Sequence, residues 1–536
     1  MTYSTHVRRS AAVAVTASCL LAAVLMTAAP AAAARVWWVD RNNPSCVDGN
    51  VGSQAVPFCT ISRGAKKALA GDTVMVEPGI YREQVTPSST GALGAPITFQ
   101  ADGLGVIVQG TKDLSDPDGA WSAAAGNAWQ VPLAAAPKQV FVDGVGLANA
   151  TLSSVGSTAN SWAYDATNLL LLANTDGSNP AVGRDVEAST ISYGFSLSGK
   201  SYVVVDGFTV RYQAAYGVRV SGGSGHLLRH LTITRTFGPG VYLYTGATNV
   251  TVADSEVSFA KNRGIKLSGV SSIQILRNVV HDNADHGISL SSADGNLIEG
   301  NESYANVYPT KRAAVGIDVY NSDNNVVRGN TLHDNQDSGM NTRSGSLDNL
   351  VVRNISYHNG DHGFDTVGSA LRTRYVSDTS FGNYKDGFSI EGGATATTVY
   401  DCIGVDNGLT TGEYDLWVST DAYPGFFSDR NLWWDSVAGY SIRVNGSSYL
   451  SLTKFRAATP FEDFGVDGDP RFVNAIIGNL HLSAGSPAID AADSSVSGFA
   501  DPDHDGVGPF DDPGTTNTGA GSPAYADLGA LEFVAA

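Results

Sequence analysis

The most regular feature of the chain is a four-residue pattern: Gly, an apolar residue, a variable residue, then a second apolar or small one. It reads "GFSL" at 194, "GVRV" at 217, "GVYL" at 240, "GIKL" at 264, "GISL" at 287, "GIDV" at 316, "GMNT" at 339, "GFDT" at 363 and "GFSI" at 387. Seven of the eight intervals are 23 or 24 residues and one is 29. Alternation with a period of two predicts short strands, and their return at fixed spacing predicts one such strand per turn of a solenoid.

Each unit carries a second apolar run with asparagines, as in "NLIEGNESYAN", "NVVRGNTLHDN" and "NLVVRNISYHN". Asn278, Asn301, Asn330 and Asn354 recur at one place, and Asn283, Asn306, Asn335, Asn359 and Asn383 at another. Three short strands per turn, with corner asparagines in left-handed conformations bonding along the stack, predict an all-β parallel β-helix. A leucine-rich horseshoe has a similar period but needs a leucine-dense consensus that this chain lacks.

Equivalent strands of neighbouring turns lie about 4.8 Å apart with side chains alternating in and out. The third residue of each unit therefore belongs to one outward ladder, expected to be exposed: Ser196, Arg219, Tyr242, Lys266, Ser289, Asp318, Asn341, Asp365 and Ser389. Arg263, Asp285, His286, Asp337, Asp361, His362, Lys385 and Asp386 precede the glycines and flank that ladder. The 29-residue unit gains its extra length within "VYPTKRA" (307–313), expected to overhang the same face with Tyr308, Lys311 and Arg312.

The flanks divide the rest. Residues 35–110 hold "FCTISRGAKKALAGDTVMVEPGIYREQV", a short helix leading into first strands, which would cap the open end of the coil. Residues 111–190, with Trp121, Trp129 and Trp162, read as an irregular β insertion, 191–410 as the coil core with its active face, and 411–536 as C-terminal turns and an acidic tail.

Composition supports this: 60 glycines and 16 % charged residues favour strands and turns over helices. Residues 1–34 read as an export signal, with Arg8 and Arg9 ahead of an apolar run that is short for a membrane span, so a secreted protein is expected. Net charge is −19, which argues against nucleic acid or an anionic membrane as partner. A monomer acting on an acidic polysaccharide is expected. Cys46 and Cys59 lie 13 residues apart, and in an oxidising compartment a disulfide between them is expected; Cys402 is left as an unpaired buried thiol.

Spacings of 24 and 4 bring Asp337, Asp361 and Asp365 onto adjacent turns, where they could hold one Ca²⁺, with Asn341 and His362 nearby. A cation beside a base suits β-elimination in a uronic-acid polymer, because neutralising the sugar carboxylate acidifies the neighbouring C–H. Lys385 is the nearest candidate base; Lys266 and Lys311 are further ones, and Arg343, Arg372 or Arg374 could hold a substrate carboxylate. His286, Asp318, Lys311 and Arg312 complete the candidate substrate contacts. Hydrolysis by paired carboxylates, Asp318 with Asp365 or Asp361 with Glu391, is the competing reading, and a non-catalytic carbohydrate-binding protein is the third.

The stretch "VWWVDRNNPSCVDGNVGSQAVPFCTISRGAKKALAGDTVMVEPGIYREQV", with "NGDHGFD" far downstream, resembles the secreted right-handed parallel β-helix proteins related to family nine polysaccharide lyases, the calcium-dependent pectate lyase group. The resemblance covers roughly residues 36–410. It implies a right-handed coil, calcium on Asp337, Asp361 and Asp365 with His362 in place of a second Asp, and elimination chemistry. It also implies a departure: the family's lysine-bearing "GFKLGG"-like strand is "GFSIEGG" here, placing Ser389 where the base would be and leaving Lys385 or Glu391 to substitute. The terminal "GSPAIDAADSS…DLGALEF" is similar to the ends of many secreted bacterial β-helix proteins. Within it, Asp501, Asp503, Asp505, Gly506 and Asp512 match a calcium-loop pattern or a merely acidic, turn-rich tail.

Overall fold

A computed structural model describes residues 33–115, 120–437 and 441–535. The expected export segment lies outside them except for its last two residues. The chain winds into a right-handed parallel β-helix walled by three long sheets of 13, 12 and 12 strands. One wall runs from Val36–Val39 through Leu297–Glu299 to Phe427–Asp429; a second from Gly79–Tyr81 through Glu302–Tyr304 to Leu432–Trp434; the third holds the Gly-led strands.

The register of that third wall is as the period demands. Ser196 pairs with Arg219, Arg219 with Tyr242, Tyr242 with Lys266, Lys266 with Ser289, Ser289 with Asp318, Asp318 with Asn341, Asn341 with Asp365 and Asp365 with Ser389. On either side of this ladder, Val218, Val241, Leu243, Ile265, Leu267, Ile288, Leu290, Ile317, Val319, Phe364 and Phe388 point inward and are fully buried. Apolar burial on this scale, at about 25 cal/mol per Å², drives the winding. The glycines are required by close approach: a Cβ on Gly264 would sit 2.3 Å from Val280 Cγ1 and 2.8 Å from the Gly287 carbonyl.

The expected exposure of the ladder is corrected in part: Arg219, Tyr242, Lys266 and Asn341 are half-buried, and the other rungs are buried. Ser289, Asp318, Asp365 and Ser389 are 3, 3, 7 and 0 % exposed. They face away from the core, but side chains from neighbouring turns close over them.

The asparagines stack, with one correction to their conformation. Asn330 Oδ1 accepts from the backbone N–H and Nδ2 of Asn301, while its own Nδ2 donates to Asn354 Oδ1 and the Ile298 carbonyl. These side chains are buried inside the corner, and the left-handed residue is the one before each: Arg277, Ala305, Asp334, Arg353 and His358 all have φ between 50° and 57°. Turning the corner thus falls to the preceding residue, which frees the asparagine to satisfy buried backbone groups. Cys402 takes the same post, accepting from the Asp378 N–H while its own N–H donates to Asn431 Oδ1; it is the unpaired, buried thiol.

A helix, Ile61–Lys67, caps the first turns, with Thr60 accepting from the Arg63 N–H, and the Cys46–Cys59 disulfide closes the loop before it. Between Val106–Gln109 and Tyr193–Ser196 the chain leaves the coil and forms two small sheets, which include Thr111–Asp113, Trp129–Pro132, Val140–Val142, Ser161–Asp165, Leu170–Asn174 and Val186–Ser189. The C-terminal segment returns along the coil, locked by an ion pair of Arg353 Nη2 to Glu532 Oε1 at 2.6 Å. Among the described residues no helix is long and apolar enough to cross a membrane.

Candidate active site

The candidate face lies on turns 264–391. Residues 308–311 and Ala313 stand over it as an overhang, and together with Lys261, Arg263, Asp285, His286, Asp337, Asn341 and Arg343 they line a cleft of about 750 Å³. It runs on into a recess of about 340 Å³ bounded by Arg263, Lys266, Ser289, Asp318, Tyr320 and Arg343. Arg263 and Arg343 line both.

At the recess, Arg343 holds Asp318 through two contacts, Nε–Oδ1 at 2.6 Å and Nη2–Oδ2 at 2.9 Å. His286 Nδ1 accepts the Val315 N–H at 3.1 Å, which leaves the ring proton on Nε2. Nε2 faces Asp285 Oδ1 at 3.5 Å and Asp318 Oδ2 at 3.6 Å. Burial holds the imidazole below its ordinary value against the pull of Asp318 and Asp285. Lys266 lies over the Tyr242 ring at 5.0 Å. Burial first, then the Arg263 charge, lower its affinity for a proton, which favours the free amine that a base requires. Asn341 Oδ1 is buried without a partner and is free to take a hydrogen bond from a ligand hydroxyl.

Further along, Arg312 reaches from the overhang to Asp361 Oδ2 at 2.9 Å and Asp337 Oδ1 at 3.8 Å. Lys385 Nζ lies 3.0 Å from the other oxygen of Asp361. Burial, then a shared hydrogen bond with Asp361 and its repulsion, push Asp337 up to about 6 against Arg312. His362 Nδ1 is 3.1 Å from Asp386 Oδ2. Burial alone would lower this imidazole, but the Asp386 contact and the charges of Asp365, Asp386 and Asp361 raise it to about 9. Burial carries Asp365 up to about 7, partly countered by His362, and also raises Glu391.

Asp337, Asn341, His286, Lys311 and Arg343 thus line the cleft, and Lys266 and Asp318 line its recess. Arg312 stands over the Asp337–Asp361 pair. Asp361, His362, Asp365, Lys385 and Glu391 form a second, more covered cluster. Of the aspartates expected to hold calcium, Asp337 and Asp361 are met by side-chain cations, while Asp365 Oδ1 is buried without a hydrogen-bond partner. Both oxygens of Asp361 already meet cations, His362 turns to Asp386, and these three aspartates do not place ligand oxygens within 4.8 Å of one another; among the described residues only Asp113, Asp185 and Glu187 do so. Asp503 in the C-terminal loop spends one oxygen on the Asp505 and Val507 N–H groups and the other on the Glu532 N–H. Ser389 is fully buried with its Oγ unpartnered, so that rung offers no accessible base. Sequence reasoning passed over Arg263, Asp285 and Asp386 as site residues, although all three sit on the flank just before a repeat glycine, and Lys261, whose exposed turn position carried no signal.

The fold and this charged cleft define a right-handed parallel β-helix with a polar groove along one wall. A family model described as "Right handed beta helix region" matches residues 173–303, and one described as "Periplasmic copper-binding protein (NosD)" matches 239–393. Among curated proteins, "Uncharacterized protein YwoF" from Bacillus subtilis (strain 168) is 40 % identical over 58 residues, 11 % of this chain and 12 % of that protein's length. Among solved structures, the complex of XylC with xylose aligns over 77 % of this chain and 86 % of its own at 14 % identity and a TM-score of 0.51. Pectate lyase Pel9A aligns over 93 % and 96 % at 15 % identity and a TM-score of 0.48. The β-helix family model and the likeness to XylC bear on the architecture alone.

Proposed function

We propose that the protein is a secreted polysaccharide lyase that cleaves a uronic-acid-containing polymer by β-elimination in the cleft and its recess. One observation carries this reading: in a chain of net charge −19, the cations Lys261, Arg263, Lys311 and Arg343 converge on one groove that holds two acids, Asp285 and Asp337, joined in the recess by a half-buried lysine of lowered proton affinity. Such a groove suits an anionic chain. Arg263, whose Nη1 meets Asp285 Oδ2 at 3.2 Å, and Arg343, whose Nε and Nη2 hold Asp318, turn their remaining N–H groups to a uronate carboxylate, the role sequence reasoning gave to calcium, and this acidifies the adjacent C–H. Lys266 Nζ removes that proton, the electron pair forms a C=C bond, and the neighbouring C–O bond breaks. The ammonium then returns its proton to the departing oxygen. Lys385, the first candidate base, is engaged with Asp361 in the covered cluster.

The test is incubation with a panel of uronic-acid polymers, following the ultraviolet absorbance of unsaturated products. Lys266→Met is expected to lower turnover at least about 100-fold; full activity of that variant would refute the assignment. New reducing ends without absorbance would indicate hydrolysis instead, for which Asp337, at about 6 in the cleft, is the available proton carrier.

A further inference from the structure

A second groove, of about 530 Å³, lies where the 111–190 insertion meets the coil, and neither the repeat pattern nor the elimination chemistry accounts for it. It is continuous with the cleft: Lys261 and Ala284 line both. Its coil side carries Phe237 and Phe259, which are 42 and 43 % exposed. Its insertion side carries Phe141 and Trp162. Lys138, from the insertion, lies over the Phe237 ring at 5.6 Å, and Arg235 lies over Phe259 at 5.1 Å. The insertion is fixed against the coil here, with Gln139 Nε2 donating to the Arg235 carbonyl at 3.0 Å and Phe141 packed on Tyr212 at 4.0 Å between centroids with the rings tilted by 30°.

We infer that this groove is an accessory subsite that binds further units of the same acidic polysaccharide beyond the point of cleavage. Exposed aromatic faces take the apolar faces of pyranose rings, a use that repays leaving two phenylalanines half in water. Lys138, Arg235 and Lys261 supply partners for carboxylates at a spacing set by the rings they accompany, with Asp282 the acidic side chain among the lining residues. Continuity with the cleft and a cationic lining on an acidic protein both select an anionic chain as occupant. The insertion thereby acquires a role: it lengthens the binding surface past what the coil alone offers.

The inference rests on the proposed polysaccharide-binding function, and its test separates the two. Phe237→Ala with Phe259→Ala is measured for binding of polyuronate by affinity electrophoresis and for KM and kcat on polymer; Lys138→Glu, a surface change, serves as a second variant. The expected result is a rise of about tenfold in the dissociation constant and KM for polymer with kcat within about twofold, corresponding to about 1.4 kcal/mol. Unaltered binding and KM in both variants, while wild type cleaves polymer, would overturn the subsite alone. Binding lost in the variants of a protein that shows no cleavage would retain the subsite and overturn the lyase reading. A wild type that binds no acidic polymer would overturn both.

Discussion

Replacing Arg343 with methionine removes the charge that holds Asp318 while keeping an apolar stem over the Tyr320 ring, where the guanidinium now lies at 5.0 Å. Asp318 has a side chain only 4 % exposed and loses both of its close contacts, at 2.6 and 2.9 Å. Breaking a fully buried pair costs about 3–5 kcal/mol, and because the arginine side chain is one-third exposed the expected cost falls to about 2–3 kcal/mol. The loss depends on pH through His286, whose Nε2 lies 3.6 Å from Asp318. In the wild type this imidazole is held below its ordinary 6.5, so the fold favours the neutral ring, and acidification through 6.5 removes stability. Arg343 is one of the charges that lower it. Without that charge its folded value rises, and acidification removes less stability than it does from the wild type. Urea unfolding at roughly pH 8 and pH 5.5 should show the full penalty at the higher pH and a smaller one at the lower, with a proton-NMR titration of the His286 ring moving upward. An equal penalty at both pH values, or one under about 0.5 kcal/mol, would refute the argument.

Chelation should leave cleavage of polymer within about twofold, since Arg312 and Lys385 already neutralise Asp361; loss of activity that Ca²⁺ restores would return the metal to these aspartates. Asn330→Ala should cost about 3–5 kcal/mol in thermal or urea unfolding, because it strands the buried N–H groups of Asn301 and the carbonyls of Ile298 and Arg328; a cost under about 1 kcal/mol would show that the stack does not support the corner. Arg312→Ala should raise Asp337 above about 6 by removing the charge that opposes its burial and Asp361, moving the corresponding limb of the pH–rate profile upward; an unmoved limb would separate Asp337 from proton transfer.

Where a period of 23 or 24 residues governs the chain, the sequence was enough. The ladder from Ser196 to Ser389 falls on consecutive rungs because a one-residue slip would turn every inward Val, Ile and Phe to the outside. The asparagine stacks were legible for the same reason, but their conformation was not: a backbone corner costs less at a residue whose side chain can face solvent, so the left-handed turn falls at exposed residues such as Arg277 and Asp334. The grouping of charges was legible only in part. The spacing places Asp337 and Asp361 on adjacent turns, yet Arg312 reaches them from an overhang whose path no period determines. Lys266 and Lys385 look alike in sequence, and only packing distinguishes a lysine whose proton affinity is lowered beside Arg263 from one engaged with Asp361.

A solenoid rewards likeness between rungs, and that sets where chemistry can sit. Identical neighbours lie about 4.8 Å apart, so asparagines bond, aromatic rings stack and aliphatic side chains interlock, whereas identical charges would repel. On the wall of the active face the run Lys266, Ser289, Asp318, Asn341, Asp365 breaks the rule of likeness at every step. The second wall keeps a simpler order, with His281, Tyr304, His333 and Tyr357 stacked at 4.8 to 4.9 Å and within 8° of parallel. Unlike rungs forgo stacking energy and must be held by specific pairs, as Asp318 is by Arg343 and Asp361 by Arg312 and Lys385. That cost has a return only if the uneven charge pattern meets a ligand with its own repeating charge. Successive sugar carboxylates along an extended polymer supply such a repeat, and a groove parallel to the coil axis is the direction in which one chain can read several rungs at once.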